Sequence, residues 1–261
     1  LKLFFAGAEP KQTRRLLKEC NANKFLVSYY SFRKQDDLTN EDVFLDSGAF
    51  TAFTQNKEID IQKYIGYLKK HKEKFSVYAN LDVIGDPEAT LKNQQIIEKA
   101  GLNPLPTFHY GSDIKYLRNY IDNYGYIALG GLVPLTRKPV ELINWLNYCF
   151  SFLIKPIKEK GLKIHGLGMT SSKILIKYPF YSVDGTSWLC GAKFGTVIKW
   201  EKYKMQGAIH LSHKEKFIEA GLNLKLAEND NEKSKHNIIE FLKMEKDITE
   251  LWKKRGIEWK D

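Results

Sequence analysis

Short apolar runs alternate along this chain with stretches whose apolar positions recur every three or four residues, and that alternation predicts strand followed by helix, repeatedly. The runs 3–6, 25–30, 43–46, 76–81, 105–109, 126–129, 163–167 and 181–184 read as eight strands. Helical spacing falls over 11–20, 59–71, 114–121, 140–153 and 172–177, with Ile61, Tyr64, Ile65 and Leu68 on one stripe. Pro87 opens a further helix that Gly101 closes. Every strand but the second is plainly followed by helix, the order of a single parallel (β/α)8 barrel of the TIM type. Residues 194–200 add a strand or hairpin arm, and 227–236 read as a polar loop. The stretch 237–255 is an amphipathic helix, with Ile238, Leu242, Ile248, Leu251 and Trp252 on one side, that covers the barrel wall or receives a partner. The barrel is expected over about 1–205 and a helical extension over about 206–261, together one domain.

Such a barrel carries its chemistry at the C-terminal ends of its strands. Here those ends bring Asp46, Asp82 and Asp184 to one rim, with Gly48, Gly130, Gly131, Gly166 and Gly168 among them. The run FLDSGAF at 44–50 places an Asp and a Gly, both poor strand residues, where the apolar run stops. Singly, each Asp also reads as a cap for the next segment, and His109 as a satisfied strand-end histidine. Together they permit two schemes. Metal-assisted chemistry wants more ligands than His109 and His165 add, so it ranks second. Displacement at a sugar carbon wants one carboxylate to attack and another to move protons. A third carboxylate then accepts hydrogen bonds from a purine's amine and ring N–H, while backbone N–H groups of a Gly-Gly turn donate to its carbonyl.

Charge narrows the partner. The net charge is +10, and the segment 137–204 holds 12 basic residues against Glu141, Glu159, Asp184 and Glu201, whereas 210–261 balances. A surplus so concentrated suits a polyanion, nucleic acid first, although a merely solvated face has the same composition. Cys20, Cys149 and Cys190 are too few and too scattered for a disulfide framework or a metal knuckle, which suits a reducing cytoplasm. The opening LKLFFAGAEP is too short for a membrane span and lacks a signal-peptide pattern. Leu at position 1 implies an initiator Met removed, trimmed or left out.

Asp46-Ser47-Gly48-Ala49-Phe50 resembles the DSGG(F/Y) motif of the tRNA-guanine transglycosylase family, and 129–132, LGGL, resembles its GGLA turn. HGLGM at 165–169, followed by YSVD at 181–184, is similar to the family's glycine-rich segment and last-strand nucleophile. The resemblance implies Asp184 as nucleophile at C1′ of a (deoxy)ribose and Asp46 as general acid/base. It implies Asp82 as a base-reading carboxylate, with Gly130 and Gly131 contacting the base carbonyl and Ser47 and Gly48 lining the same pocket. His109 or Tyr110 stands where the family usually has Gln. The tRNA enzymes of the family end in a zinc site, and no cysteine follows Cys190 here, so no cofactor is expected. The chain thereby resembles the compact, zinc-free branch, found in phages and bacterial islands, that inserts 7-deazaguanines into DNA. DNA is the expected partner and tRNA the alternative, with a 7-deazaguanine as second substrate, accessory proteins possible, and no membrane. Arg137, Lys138, Lys173, Lys177, Lys193, Lys199, Lys202 and Lys204 are the expected phosphate contacts. Tyr29, Tyr30, Phe32 and Arg33 are candidates to stack beside a flipped base, with barrel-top packing as the other reading, and Trp188 shares that ambiguity. A non-catalytic nucleic-acid-binding barrel and a metal-dependent hydrolase or aldolase remain as alternatives.

Overall fold

The computed structural model describes residues 1–32, 38, 41–201, 203–210, 214–223, 226 and 229–259. Eight strands, β1 (Lys2–Ala6), β2 (Lys24–Ser28), β3 (Asp42–Asp46), β4 (Val77–Tyr78), β5 (Thr107–His109), β6 (Tyr126–Gly130), β7 (Lys163–Gly166) and β8 (Ser182–Gly185), form one parallel sheet. Their order is β4-β3-β2-β1-β8-β7-β6-β5. The sheet curls until its two end strands touch through one bridge, Ala79 with Leu105. There the Asn80 N–H donates to Leu105 O at 3.0 Å and the Leu105 N–H to Tyr78 O at 2.8 Å. The architecture is an α/β fold with an eight-stranded, barrel-like parallel sheet.

Helices α1 (Lys11–Glu19), α2 (Ala49–Thr54), α3 (Ile61–His71), α4 (Pro87–Lys99), α5 (Ile114–Asn123), α6 (Pro139–Lys160), α7 (Ser172–Lys177) and α8 (Cys190–Phe194) fill the connections. Asp60, Asp86 and Asp113 cap α3, α4 and α5 by accepting backbone N–H groups with their side chains. Strand parity divides the apolar residues. Phe4, Ala6, Leu26, Phe44, Ala79, Leu105 and Ala128 cluster inside the curl. Their neighbours, such as Phe5, Phe25, Leu45, Phe108 and Ile164, face the helices in a second, larger core.

Past β8 the chain forms an antiparallel hairpin, β9 (Thr196–Glu201) with β10 (Lys204–His210), then α9 (Lys214–Glu219) and α10 (Asp230–Lys254). Helix α10 lies against the wall at β1 and along β9. Glu245 accepts the Leu3 N–H at 2.9 Å, and the Trp252 indole donates to Leu175 O at 2.8 Å.

Four features depart from the reading of the sequence. Helix α2 stands where no helix was expected, and β4 is only two residues long. Helix α6 continues to Lys160 with Pro156 inside it, one missing backbone donor near its end being tolerated before Gly161 closes the helix in the left-handed region. The polar stretch 227–236 is helical from Asp230, because Asn229 caps the Asn231 N–H and Asp230 and Glu232 suit a helix N-terminus. Lys233 and Ser234, polar by composition, are buried there.

Candidate active site

The inward parity of β3, β6, β7 and β8 delivers Asp46, Gly130, His165 and Asp184 to the interior and its mouth. Asp46 ends β3, and its Oδ2 accepts the Gly48 N–H at 2.9 Å. That return contact needs Gly48 at φ +79°, where an added Cβ would lie 2.4 Å from the Tyr30 Cβ and 2.5 Å from the Ser28 Oγ. Only glycine fits. Burial drives the Asp46 carboxyl up to about 7; the Gly48 N–H pulls it down, while the charges of Asp184, Asp82 and Glu9 push it up.

Asp184 sits on β8 at 7% exposure. Its Oδ1 accepts the Gly168 N–H at 2.8 Å and lies 3.2 Å from His165 Nε2. The His165 ring is wholly buried beside Phe44 and Phe4, at centroid distances of 4.6 and 6.3 Å. Its Nδ1 is 2.6 Å from Ser182 Oγ, which is 2.5 Å from the Tyr126 hydroxyl.

Asp82 follows β4, with His109 Nε2 at 3.4 Å and the Asn80 amide at 3.4 Å. Burial works to lower the His109 pKa, but the charge of Asp82 and its hydrogen bond outweigh it, and the net displacement is upward. Gly130 is packed against His109 and Thr107: an added Cβ would lie 2.8 Å from both His109 Cδ2 and Thr107 Cγ2. Ser28 Oγ and Thr107 Oγ1, also of inward parity, are buried with no hydrogen-bond partner among the described residues.

The mouth therefore gathers Asp46, Asp82, Asp184, His109, Gly48 and Gly130, with Ser47 buried and Gly131 exposed beside them. Glu9, not singled out from sequence, joins them through its charge on Asp46 and accepts the Ser28 N–H at 3.1 Å. His165 and Ser182 carry the other addition; both stand in the quoted motifs HGLGM and YSVD, but neither was given a role there.

Other expected residues lie elsewhere. Tyr110, one place after His109, turns to α6, where its hydroxyl donates to Glu141 at 2.5 Å and its ring meets Trp145 at 5.1 Å. Tyr29 is not a stacking surface: it is 9% exposed, with its ring 4.9 Å from Tyr64 and 4.8 Å from Tyr67. Phe32 and Trp188 are likewise core, and the Trp188 indole donates to Ala6 O at 3.0 Å. The Tyr30 hydroxyl donates to Gln55 at 2.8 Å behind the Gly48 turn. Arg33 and Lys202 lie outside the described residues. Arg137, Lys173, Lys177 and Lys193 are exposed. Lys138 pairs with Glu141 at 3.1 Å, and Lys199 donates to Ala220 O at 2.9 Å.

No family model, curated protein or solved structure matches the chain. What the mouth does is read from its own chemistry. Among the described residues no group of three or more His, Cys, Asp and Glu side chains is arranged to hold a metal ion, and no helix is long and apolar enough to cross a membrane.

Proposed function

We propose that the chain is a (β/α)8 base-exchange enzyme of the tRNA-guanine transglycosylase kind, replacing guanine in DNA with a 7-deazaguanine, with tRNA as the alternative substrate. The observation that carries this reading is the contrast between two carboxylates in one mouth. Asp184 is held by two donors on one oxygen, as suits an anion, whereas Asp46 is pushed up to about 7, as suits a group that gives and takes a proton near neutrality.

Asp184 attacks C1′ of the nucleotide, the C1′–N9 bond to guanine breaks, and the leaving base takes the Asp46 proton. A 7-deazaguanine then gives its N9 proton back to Asp46 and displaces Asp184 from C1′. Protons and bonds balance over the cycle, and the enzyme returns to its starting state. Asp82 and His109 stand ready for one edge of the base and the Gly130–Gly131 backbone for the other. Ser28 Oγ and Thr107 Oγ1 are spare polar atoms for the same ligand. Phe50 and Phe53, more than half exposed on α2 directly after the Asp46 turn, replace Tyr29 as the aromatic surface for an opened duplex.

The test is release of labelled guanine from DNA and from tRNA in parallel, with a 7-deazaguanine present. Release is expected from DNA, lost in Asp184→Ala and Asp46→Ala, with the release rate falling as pH rises through 7 because Asp46 must begin protonated. Release from tRNA alone would move the substrate to RNA. Full activity in Asp184→Ala would overturn the mechanism.

A further inference from the structure

The hydrogen bonds of Asp184 and its neighbours form one continuous line down the interior of the curled sheet: Asp184 Oδ1 to His165 Nε2, His165 Nδ1 to Ser182 Oγ, and Ser182 Oγ to the Tyr126 hydroxyl. Three adjacent strands supply it. His165 pairs in register with Ser182 across β7 and β8, and Ala128, two residues past Tyr126, pairs with His165. All four side chains therefore share the inward face. The line ends at Tyr126, which with Phe4, Val77 and Tyr181 also lines a recess at the N-terminal ends of the strands, the far end from the carboxylates.

Donor and acceptor rules order the line. An ionised carboxylate only accepts, so His165 must present N–H at Nε2. In the neutral ring, Nδ1 is then an acceptor, and Ser182 is the group within reach that donates to it. With its own proton committed, Ser182 Oγ accepts from Tyr126. Burial pushes the Tyr126 hydroxyl up, so it keeps its proton and serves as the terminal donor.

Both donors to Asp184, the Gly168 N–H and His165, meet the same oxygen, Oδ1. Among the described residues no hydrogen bond reaches Oδ2. A carboxylate fixed by two donors on one oxygen has its rotation stopped and its other oxygen left with undivided lone pairs.

We propose that His165, ordered by Ser182 and Tyr126, is a positioning residue that pins Oδ1 of Asp184 and so selects Oδ2 as the atom that bonds to C1′. The assignment of attack to Asp184 rests on the base-exchange reading; the ordering of the line does not. Oδ1, doubly hydrogen-bonded, becomes the carbonyl oxygen of the covalent ester, to which the His165 N–H still donates, and no proton has to move along the line during the reaction.

Two measurements test this separately. Imidazole ¹⁵N spectra of the whole protein, assigned by comparison with His165→Gln, are expected to show His165 protonated at Nε2 and bare at Nδ1. A proton on Nδ1 would overturn the ordering, whether or not the protein turns over any nucleic acid. Single-turnover formation of the covalent adduct on guanine-containing DNA is the second readout. His165→Phe is expected to slow it by at least about tenfold, the loss of one charge-assisted hydrogen bond. His165→Gln, which keeps an N–H donor at the same reach, is expected to recover much of that loss. Tyr126→Phe, changing one distant hydroxyl in a ring that remains, guards against a misfolded His165 variant: adduct formation slows while KM for the 7-deazaguanine holds. Wild-type adduct rates in folded His165→Phe and Tyr126→Phe proteins would overturn the positioning role. Absence of any adduct in the wild-type protein, on DNA or tRNA, would overturn the base-exchange reading and with it the choice of oxygen, leaving the ordering to be judged by the spectrum.

Discussion

Asp46 and Asp184 are the same side chain in two environments: Asp184 Oδ1 accepts the Gly168 N–H, while burial pushes the Asp46 carboxyl up to about 7. In the unfolded chain Asp46 ionises at about 4; in the fold it does so at about 7. Between those values the unfolded chain has released a proton that the folded chain still holds, so stability falls as pH rises through that window and the deficit persists above it. Asn at this position cannot ionise and still accepts the Gly48 N–H. Asp46→Asn is therefore expected to be more stable than wild type at pH 8, by up to about 4 kcal/mol, and nearly equal to it at pH 4. Urea unfolding at the two pH values measures this, and an equal difference at both would refute the raised carboxyl. Both aspartates were legible because each ends an apolar run, where side-chain type alone marks the strand's end. The partner of a residue was not legible. Nothing near Ser182 in the sequence says that its hydroxyl meets a histidine 17 positions earlier, since strand register decides that. Strand parity, continued past the strand ends, separates His109 from Tyr110 and sets Tyr29 in the core.

Elements were legible where period and caps agree. Helix α7 falls where its apolar spacing predicts, and α4 opens at Pro87 behind an Asp86 cap. Short elements under tertiary control were not: β4 is two residues long because it ends where the sheet curls to meet β5. Helix α10 shows a different limit. Its first turns, up to His236, looked like a loop because they are polar, yet Lys233 and Ser234 are buried there, as are Asn237 and Glu240 further along the helix. Asn237 and Glu240 do what a neighbouring strand would do for β9: Asn237 Oδ1 accepts the Ile198 N–H at 2.9 Å and Glu240 Oε2 the Trp200 N–H at 2.6 Å. Alternate backbone donors of the hairpin are thus satisfied by side chains one helical turn apart. Asn237→Ala strands a buried backbone N–H and is expected to destabilise by about 1–3 kcal/mol. Hydrogen exchange at Ile198 and Trp200 distinguishes this from a generic loss: in Asn237→Ala, Ile198 is expected to exchange faster than Trp200, and unchanged protection at Ile198 would refute the strand-like role.

At the scale of the molecule the winding of the chain undoes a pattern that looked unitary in sequence. The basic surplus between 137 and 204 does not form one patch, because each strand-to-helix unit carries its charges from one end of the sheet to the other. Arg137 and Lys138 follow β6 at the mouth, but α6 is 22 residues long, a descent of about 33 Å, and it sets Lys155, Lys158 and Lys160 at the opposite end. Lys163 begins β7 at that same end and lines the recess there. Lys173 enters α7 from the mouth side, while Lys177 leaves it at the far side, over the Tyr178 ring. Lys138 is already paired with Glu141. Of the surplus at 137–204, Arg137, Lys173 and Lys193 are exposed, follow mouth-side strand ends and have no side-chain hydrogen bond or ion pair among the described residues. On the nucleic-acid reading, three phosphate contacts would release counterions enough for a slope of log K against log salt of about −3 on duplex DNA, far short of what the whole surplus would give. Binding titrations between 50 and 200 mM salt are expected to show that shallow slope, reduced by about 0.9 for each of Arg137→Ala, Lys173→Ala and Lys193→Ala. Removing Lys155, Lys158 and Lys160 together is expected to leave it unchanged. Should that triple variant flatten the slope as much as the mouth-side changes do, nucleic acid wraps both ends of the sheet and docking confined to the carboxylate mouth is refuted.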